Sequence, residues 1–219
     1  VKIEHISPSR KDTWETCELK YKYRYHLKLE SPEPEPSYLT YGKIIHKIAE
    51  KFVKAKGEKT IDEILASVKK GEILIDENHI SVPSNYKQKI NGHLSSINRL
   101  VEKIGFSGEV EWAFEHDLDP PNQKLFVGVI DRLMTTGKKY FILDYKTTRK
   151  DGGWQKSPKT IKNDFQLRCY SKAIQLSFGA EAENIEAALY YVDGTKSGQP
   201  LLRTKFSQES LDLAEKELL

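Results

Sequence analysis

Asp131, Asp144 and Lys146 are the residues of this chain whose types and spacing carry a definite chemistry. Side chains alternate along a strand, so in the run Tyr140 to Lys146 the side chains of Asp144 and Lys146 share one face, and those of Leu143 and Tyr145 the other. Asp131 lies thirteen residues before Asp144. If Leu125 to Met134 and Tyr140 to Lys146 pair antiparallel through Thr136-Gly137, the midpoint falls at residues 137 and 138 and the two acids face each other. Two ionised carboxylates about 4 Å apart repel by roughly 4 kcal/mol at an effective dielectric near 20, a penalty a sheet does not carry without cause. A divalent cation removes it, because Mg²⁺ and Mn²⁺ prefer carboxylate oxygens, with phosphate and water completing the shell. An ammonium on the same face cannot ligate the ion, yet it can orient or help deprotonate an attacking water and offset charge on a phosphate. Hydrolysis of a phosphodiester uses all three groups. Apolar runs lead into both acids, Gly128-Val129-Ile130 and Phe141-Ile142-Leu143, where a charge is expensive unless something needs it. The plainer alternative, two strand-end surface acids with Lys146 paired to one of them, stays open at this point.

The elements that must position these groups follow from period and punctuation. Ser9 with Asp12 reads as a cap ahead of a helix to about Tyr23, and the three prolines of residues 31–37 as a linker. Tyr41 to Ala55 reads as a helix ended by Gly57, and Thr60 to Lys70 as a shorter one. From Ser84, the residues Tyr86, Ile90, Leu94, Ile97, Val101 and Ile104 form an apolar stripe at steps of three and four, a packing face. After Gly105 the period changes to strands at Glu109 to Phe114, Leu125 to Met134 and Tyr140 to Lys146. Helix Thr160 to Phe178, strand Ile185 to Val192, turn Asp193-Gly194, strand Leu201 to Phe206 and a helix capped by Ser207 complete the order. This predicts an α/β chain, one domain over residues 1–219, with a helical N-terminal part (1–105) and a mixed α/β core (106–219). The start on Val and the end inside a helical pattern suit a processed chain or a C-terminally truncated fragment of a longer protein.

Composition excludes several classes. With 219 residues, 38% hydrophobic and 31% charged, the chain is polar but rich enough in aromatics (11 Tyr, 8 Phe, 3 Trp) to bury a core. Two cysteines exclude a disulfide scaffold and, by themselves, a four-cysteine metal site; a reducing, cytoplasmic setting is the default expectation, with no membrane partner. The net charge of +3 says little, but Lys138 to Lys172 holds ten basic residues and three acidic ones. Within it Lys138, Lys139, Arg149, Lys150, Lys156, Lys159 and Lys162 bracket the Asp144 strand, and Trp154 suits either base stacking or packing. Lys20 to Lys28 alternates basic and aromatic residues, as a phosphate-tracking surface would.

The strings G-V-I-D-R (128–132), I-L-D-Y-K-T (142–147) and Q-L-R-C-Y (166–170), with G-K-I-I-H (42–46) and the opening S-P-S-R…C-E-L-K-Y-K-Y (7–23), resemble the PD-(D/E)XK nuclease superfamily in its RecB-like exonuclease branch. These motifs span about three quarters of the chain in the family's order. The resemblance implies a restriction-endonuclease-like core: a central mixed sheet flanked by helices. It implies Asp131 and Asp144 as metal-binding acids, Lys146 as the catalytic lysine, the Tyr145 backbone carbonyl facing the metal, and His46 joining the metal shell. Gln166 and Tyr170, i and i+4 on one helix, would contact DNA or position the lysine and acid. Taken alone, a histidine at position 46 in an apolar helical pattern is more often a satisfied core group than a ligand. Related nucleases carry a Glu on the preceding strand; Glu111 is preferred over Glu109 because Val110 and Trp112 would then face the core together. Some relatives hold a [4Fe-4S] cluster through a cysteine in the opening motif, which here is Cys17, and three more near the C-terminus, so a cluster is expected only in a longer parent protein; otherwise Cys17 is a small buried group. Cys169 is expected to pack. The implied activity is Mg²⁺- or Mn²⁺-dependent exonucleolytic hydrolysis of single-stranded DNA or duplex ends, in recombination, repair, phage or CRISPR DNA processing, with a helicase or recombination protein as a further partner. A structure-specific endonuclease of the same fold, and a DNA-binding module that has lost catalysis, are the alternatives.

Overall fold

The computed structural model describes residues 5–31, 36–56, 58–59, 63–64, 72–75, 78–81, 84–148 and 153–219. Strand β1 is His5–Ile6 and helix α1 is Pro8–Thr16. The cap of α1 is Ser7, not Ser9: its side chain accepts from Arg10 N, and Pro8 takes the first helical position, where its missing N–H costs nothing. The helix expected to run to Tyr23 breaks at Cys17, whose backbone is extended, and resumes as α2, Glu18–Tyr21, and a π-helical turn, Lys22–His26. The basic-aromatic run there is not a simple alternating surface. Tyr21 is buried against Trp14, Tyr25 and His26, while Arg10 and Arg24 lie over the Tyr25 ring. Cys17 is exposed, so it is not the buried group expected, whereas Cys169 is buried.

Helix α3, Ser37–Lys54, starts four residues earlier than Tyr41. The expected helix from Thr60 to Lys70 lies largely outside the described residues. An antiparallel strand pair, β2 (Glu72–Ile75) with β3 (Asn78–Ser81), falls between the helices expected at Thr60 to Lys70 and from Ser84, inside the N-terminal part expected to be helical. Helix α4, Ser84–Ile104, carries the apolar stripe inward at Ile90, Leu94, Ile97 and Val101. Next come β4 (Glu109–Asp119), β5 (Lys124–Thr136) and β6 (Lys139–Lys146). Helix α5, Phe165–Phe178, begins five residues after Thr160, because Asp164 caps it and a 3-10 turn precedes it. Strands β7 (Ile185–Tyr191) and β8 (Leu201–Thr204) and helix α6 (Gln208–Leu218), capped by Ser207, close the chain.

The six-stranded sheet is mixed: β4, β5 and β6 are antiparallel neighbours, β7 joins β6 in parallel, β8 pairs antiparallel with β7, and β1 lies parallel to β5. Helices cover both faces. On one, α3 and α4 pack on Leu143, Tyr145, Ala188 and Tyr190; on the other, α5 and α6 pack on Ile142, Ala187, Leu189 and Tyr191. This is the restriction-endonuclease-like α/β arrangement. Among the described residues, no helix is long and apolar enough to cross a membrane.

Candidate active site

The site opens where the sheet comes apart. Along one edge of β5, β6 pairs with residues Arg132 to Thr136 and β1 with Leu125 and Phe126, while β4 occupies the other edge. The β5–β6 ladder ends at Arg132↔Leu143, one step before Asp131 would face Asp144. There the Asp131 side chain takes over from the backbone: its Oδ2 accepts the Tyr145 N–H at 2.7 Å.

Both β4 and β5 change face at that level. Val110 packs with the α3–α4 core and Trp112 with the α5–α6 core, although residues two apart on a regular strand share a face. Across the ladder, Arg132 is opposite Val110 and Ile130 opposite Trp112, and Ile130 and Leu133 share one core despite being three apart. The irregularity centres on Glu111 and Asp131, which face each other. Glu111 adopts a positive φ of 54°, costly for a residue with a Cβ, and the reversal turns its side chain out of the pleat. The expectation that Val110 and Trp112 face one core together was therefore wrong, while Glu111 does lie beside Asp131 and His46.

His46, Glu111 and Asp131 bring one donor atom each within 4.8 Å of one another. His46 comes from α3, its Nδ1 3.2 Å from Asp131 Oδ1 and its ring edge-on to Tyr145. Burial works against a proton on His46, but Asp131 outweighs it and raises the imidazole to about 9. Burial, then Asp131 and Glu50, raise the Glu111 carboxyl. An imidazole and two carboxylates that repel one another fit a hard divalent cation, which would relieve the repulsion and displace the His46 proton.

Asp144 is 3% exposed and stands beside this trio rather than in it. Its Oδ2 is 2.7 Å from Lys146 Nζ, and burial raises its pKa against the pull of that ammonium. Lys146 Nζ also donates to Gln166 Oε1 at 2.9 Å, and Gln166 Nε2 donates to the Tyr170 hydroxyl at 2.8 Å. Burial disfavours the Lys146 charge, but Asp144 overcomes this and holds its pKa above the ordinary lysine value. Gln166 is fixed because Asp164 Oδ1 accepts Leu167 N at 3.0 Å and so anchors the first turn of α5. The Tyr145 side chain is buried in the α3–α4 core, and its backbone N–H binds Asp131. Behind the site, Arg132 is fully buried and its Nη2 donates to Gly105 O and Ser107 O at the exit of α4. Sequence reasoning passed over Arg132, and its only signal was a charge inside the apolar run of β5.

Of the basic residues expected to flank the Asp144 strand, Lys138, Lys139, Lys159 and Lys162 are exposed and Lys156 reaches Asp164 at 3.6 Å. Arg149 and Lys150 lie outside the described residues. Trp154 is 85% exposed, which removes the packing alternative.

No curated protein sequence matches this chain. The crystal structure of SSO0001 is similar at 19% identity over 91% of this chain and 82% of that one, with a TM-score of 0.34, too loose a likeness to bear on the site. The family model of the PD-(D/E)XK nuclease superfamily, in contrast, matches residues 5–218. A match over nearly the whole length makes this chain a member of the PD-(D/E)XK nuclease superfamily.

Proposed function

We propose that the chain is a RecB-like, Mg²⁺- or Mn²⁺-dependent DNA exonuclease acting on single strands or duplex ends, in recombination, repair, phage or CRISPR DNA processing. The observation that carries the reading is the convergence of His46, Glu111 and Asp131 within 4.8 Å beside the Asp144–Lys146 pair. His46, Glu111 and Asp131 would hold the cation, with Asp144 and the Tyr145 carbonyl completing its protein ligands. A bound cation supplies Lewis acidity, activating water and offsetting charge on the scissile phosphate.

The chain's own residues do the rest. Lys146, kept protonated by Asp144, acts as a fixed cation for charge growing on the phosphate rather than as a proton acceptor. Gln166 holds the Lys146 ammonium and is held in turn by Tyr170, so the two are positioning residues. The two cysteines present, Cys17 exposed and Cys169 buried in the α5–α6 core, cannot supply the four thiolates of a [4Fe-4S] cluster, which Cys17 would join only in a longer parent protein.

The test is digestion of end-labelled single- and double-stranded DNA in Mg²⁺, Mn²⁺ or EDTA, beside Asp131→Asn and Lys146→Ala. Products shortened from an end, absent in EDTA and lost in both variants, are expected. Cleavage that persists in EDTA or in both variants overturns the assignment, and cleavage of closed single-stranded circles overturns the exonuclease part.

A further inference from the structure

A cleft of about 1860 Å³ lies between α4 and the loop joining β7 to β8, far larger than a small-molecule pocket needs to be. One end of it lies beside the candidate metal site, since its lining includes Gly42, one helical turn before His46, and Thr147, the residue after Lys146. We propose that this cleft is the track along which a single DNA strand runs to or from the metal site. The proposal rests on the nuclease reading only for what happens where the track ends.

Three features point to an unpaired strand. Trp154 and Tyr38, 85% and 69% exposed, add to the cleft lining aromatic rings on whose faces bases can stack. Such faces suit unstacked bases and not the interior of a duplex, whose bases already cover one another. Lys89, Arg99 and Lys103 supply positive charge, and with Gly92 and Ser96 they form one stripe of α4 at steps of three and four, about 21 Å long. The one carboxylate among the described lining residues, Asp193, does not oppose them freely, because His93 Nε2 binds its Oδ1 at 2.9 Å. That histidine in turn bonds the Tyr41 hydroxyl, which ties α3, α4 and the β7–β8 loop into one wall.

Gly92 gives a clean way to alter the track. A Cβ added there meets nothing within 4 Å, and glycine is the poorest helix former after proline, so a larger residue enters the stripe without steric cost to the fold. Binding of a fluorescein-labelled dT20 to the full chain is measured by anisotropy in EDTA, so that no cleavage intervenes. Trp154→Ala is expected to weaken binding by about 5- to 160-fold. Arg99→Ala with Lys103→Ala is expected to reduce the log-log salt slope by about 1.4. Gly92→Glu weakens binding and Gly92→Arg tightens it, while Lys216→Ala, on the opposite side of the molecule, leaves it unchanged. A blunt duplex of equal length competes at least about tenfold less well. Wild-type affinity in Trp154→Ala and in Gly92→Glu, or equal competition by the duplex, overturns the proposal. Because binding is read in EDTA, the two readings separate: dT20 binding that follows the cleft variants, in a chain that shows no metal-dependent cleavage, keeps the track and overturns only the nuclease.

Discussion

At the scale of single residues, Glu111 shows how the site is made at the fold's expense. Its positive φ and its nearness to Asp131 are both unfavourable, and neither serves the sheet. Glycine adopts that conformation freely, so Glu111→Gly trades relieved strain and repulsion against the extra chain entropy of glycine. We expect urea unfolding to give a stability within about 1 kcal/mol of wild type, while cleavage at fixed Mg²⁺ falls at least about tenfold. An unchanged cleavage rate would remove Glu111 from the metal site. The same residue marks the limit of what the sequence discloses. The preference for Glu111 over Glu109 rested on a common facing of Val110 and Trp112 that the strand does not have, because periodicity describes regular strands and this one reverses face at the site. Asp131, Asp144 and Lys146 were legible because their spacing on two adjoining strands needs nothing beyond hairpin register, and that register runs to Arg132↔Leu143 as arithmetic requires. Arg132 was not legible, since what it binds lies 25 to 27 residues away at the end of α4.

At the scale of elements, Lys146 is held by a relay of packing that begins in the sheet. Gly128 on β5 faces Phe114 on β4, and a Cβ on Gly128 would come within 2.5 Å of the ring. That ring meets Tyr170 of α5 edge-on with centroids 6.1 Å apart, and Tyr170 accepts from Gln166, which holds Lys146. Gly128→Ala is therefore expected to push Phe114 onto Tyr170 and loosen the lysine, costing about 1–3 kcal/mol of stability by overpacking. Single-turnover cleavage should fall at temperatures where the variant is still folded. A variant destabilised to that extent with a normal cleavage rate would show that Lys146 does not depend on the relay. At the other end of α5, Asp164→Ala should cost about 1 kcal/mol, measured by chemical unfolding, because it frees the Leu167 N–H. The long elements, α4, β5, β6 and α5, stood out in the sequence because each buries a periodic face. β1 and the β2–β3 pair did not, being two and four residues per strand, too short for periodicity to register. The break at Cys17 had no sequence signal either, since no Gly or Pro punctuates it.

At the scale of the whole molecule, the face opposite α3 and α4 is closed by α5 and α6, and their joint is fastened by a lysine. Lys172 on α5 is 6% exposed and reaches Asp212 at 3.0 Å and Glu215 at 2.8 Å on α6. Burial of its ammonium opposes the charge, but Glu215 and Asp212 overcome this and raise its pKa, while Lys172 and Gln208 lower that of Asp212. A lysine whose pKa is higher folded than unfolded stabilises the fold fully below its unfolded value, near 10.4, and loses that contribution as pH rises through the folded value. An aspartate whose pKa is lower folded than unfolded contributes above its unfolded value, near 3.9, and loses the contribution as pH falls through the folded one. The stability difference between wild type and Lys172→Met should thus be greatest and flat across neutral pH, and close both above about pH 10.4 and below about pH 4. Because methionine keeps the apolar stem in place, the neutral-pH loss reports the charge, and about 2–4 °C in Tm is expected, shrinking with added salt. A difference that stays constant well below about pH 4 and well above about pH 10.4 would show that packing, and not the Lys172 ion pairs, joins the two helices. Since α5 also carries Gln166, the same variant tests whether the back of the molecule governs the front. Cleavage by folded Lys172→Met at neutral pH is expected to match wild type, because the capped first turn of α5 is anchored by Asp164 independently of Lys172.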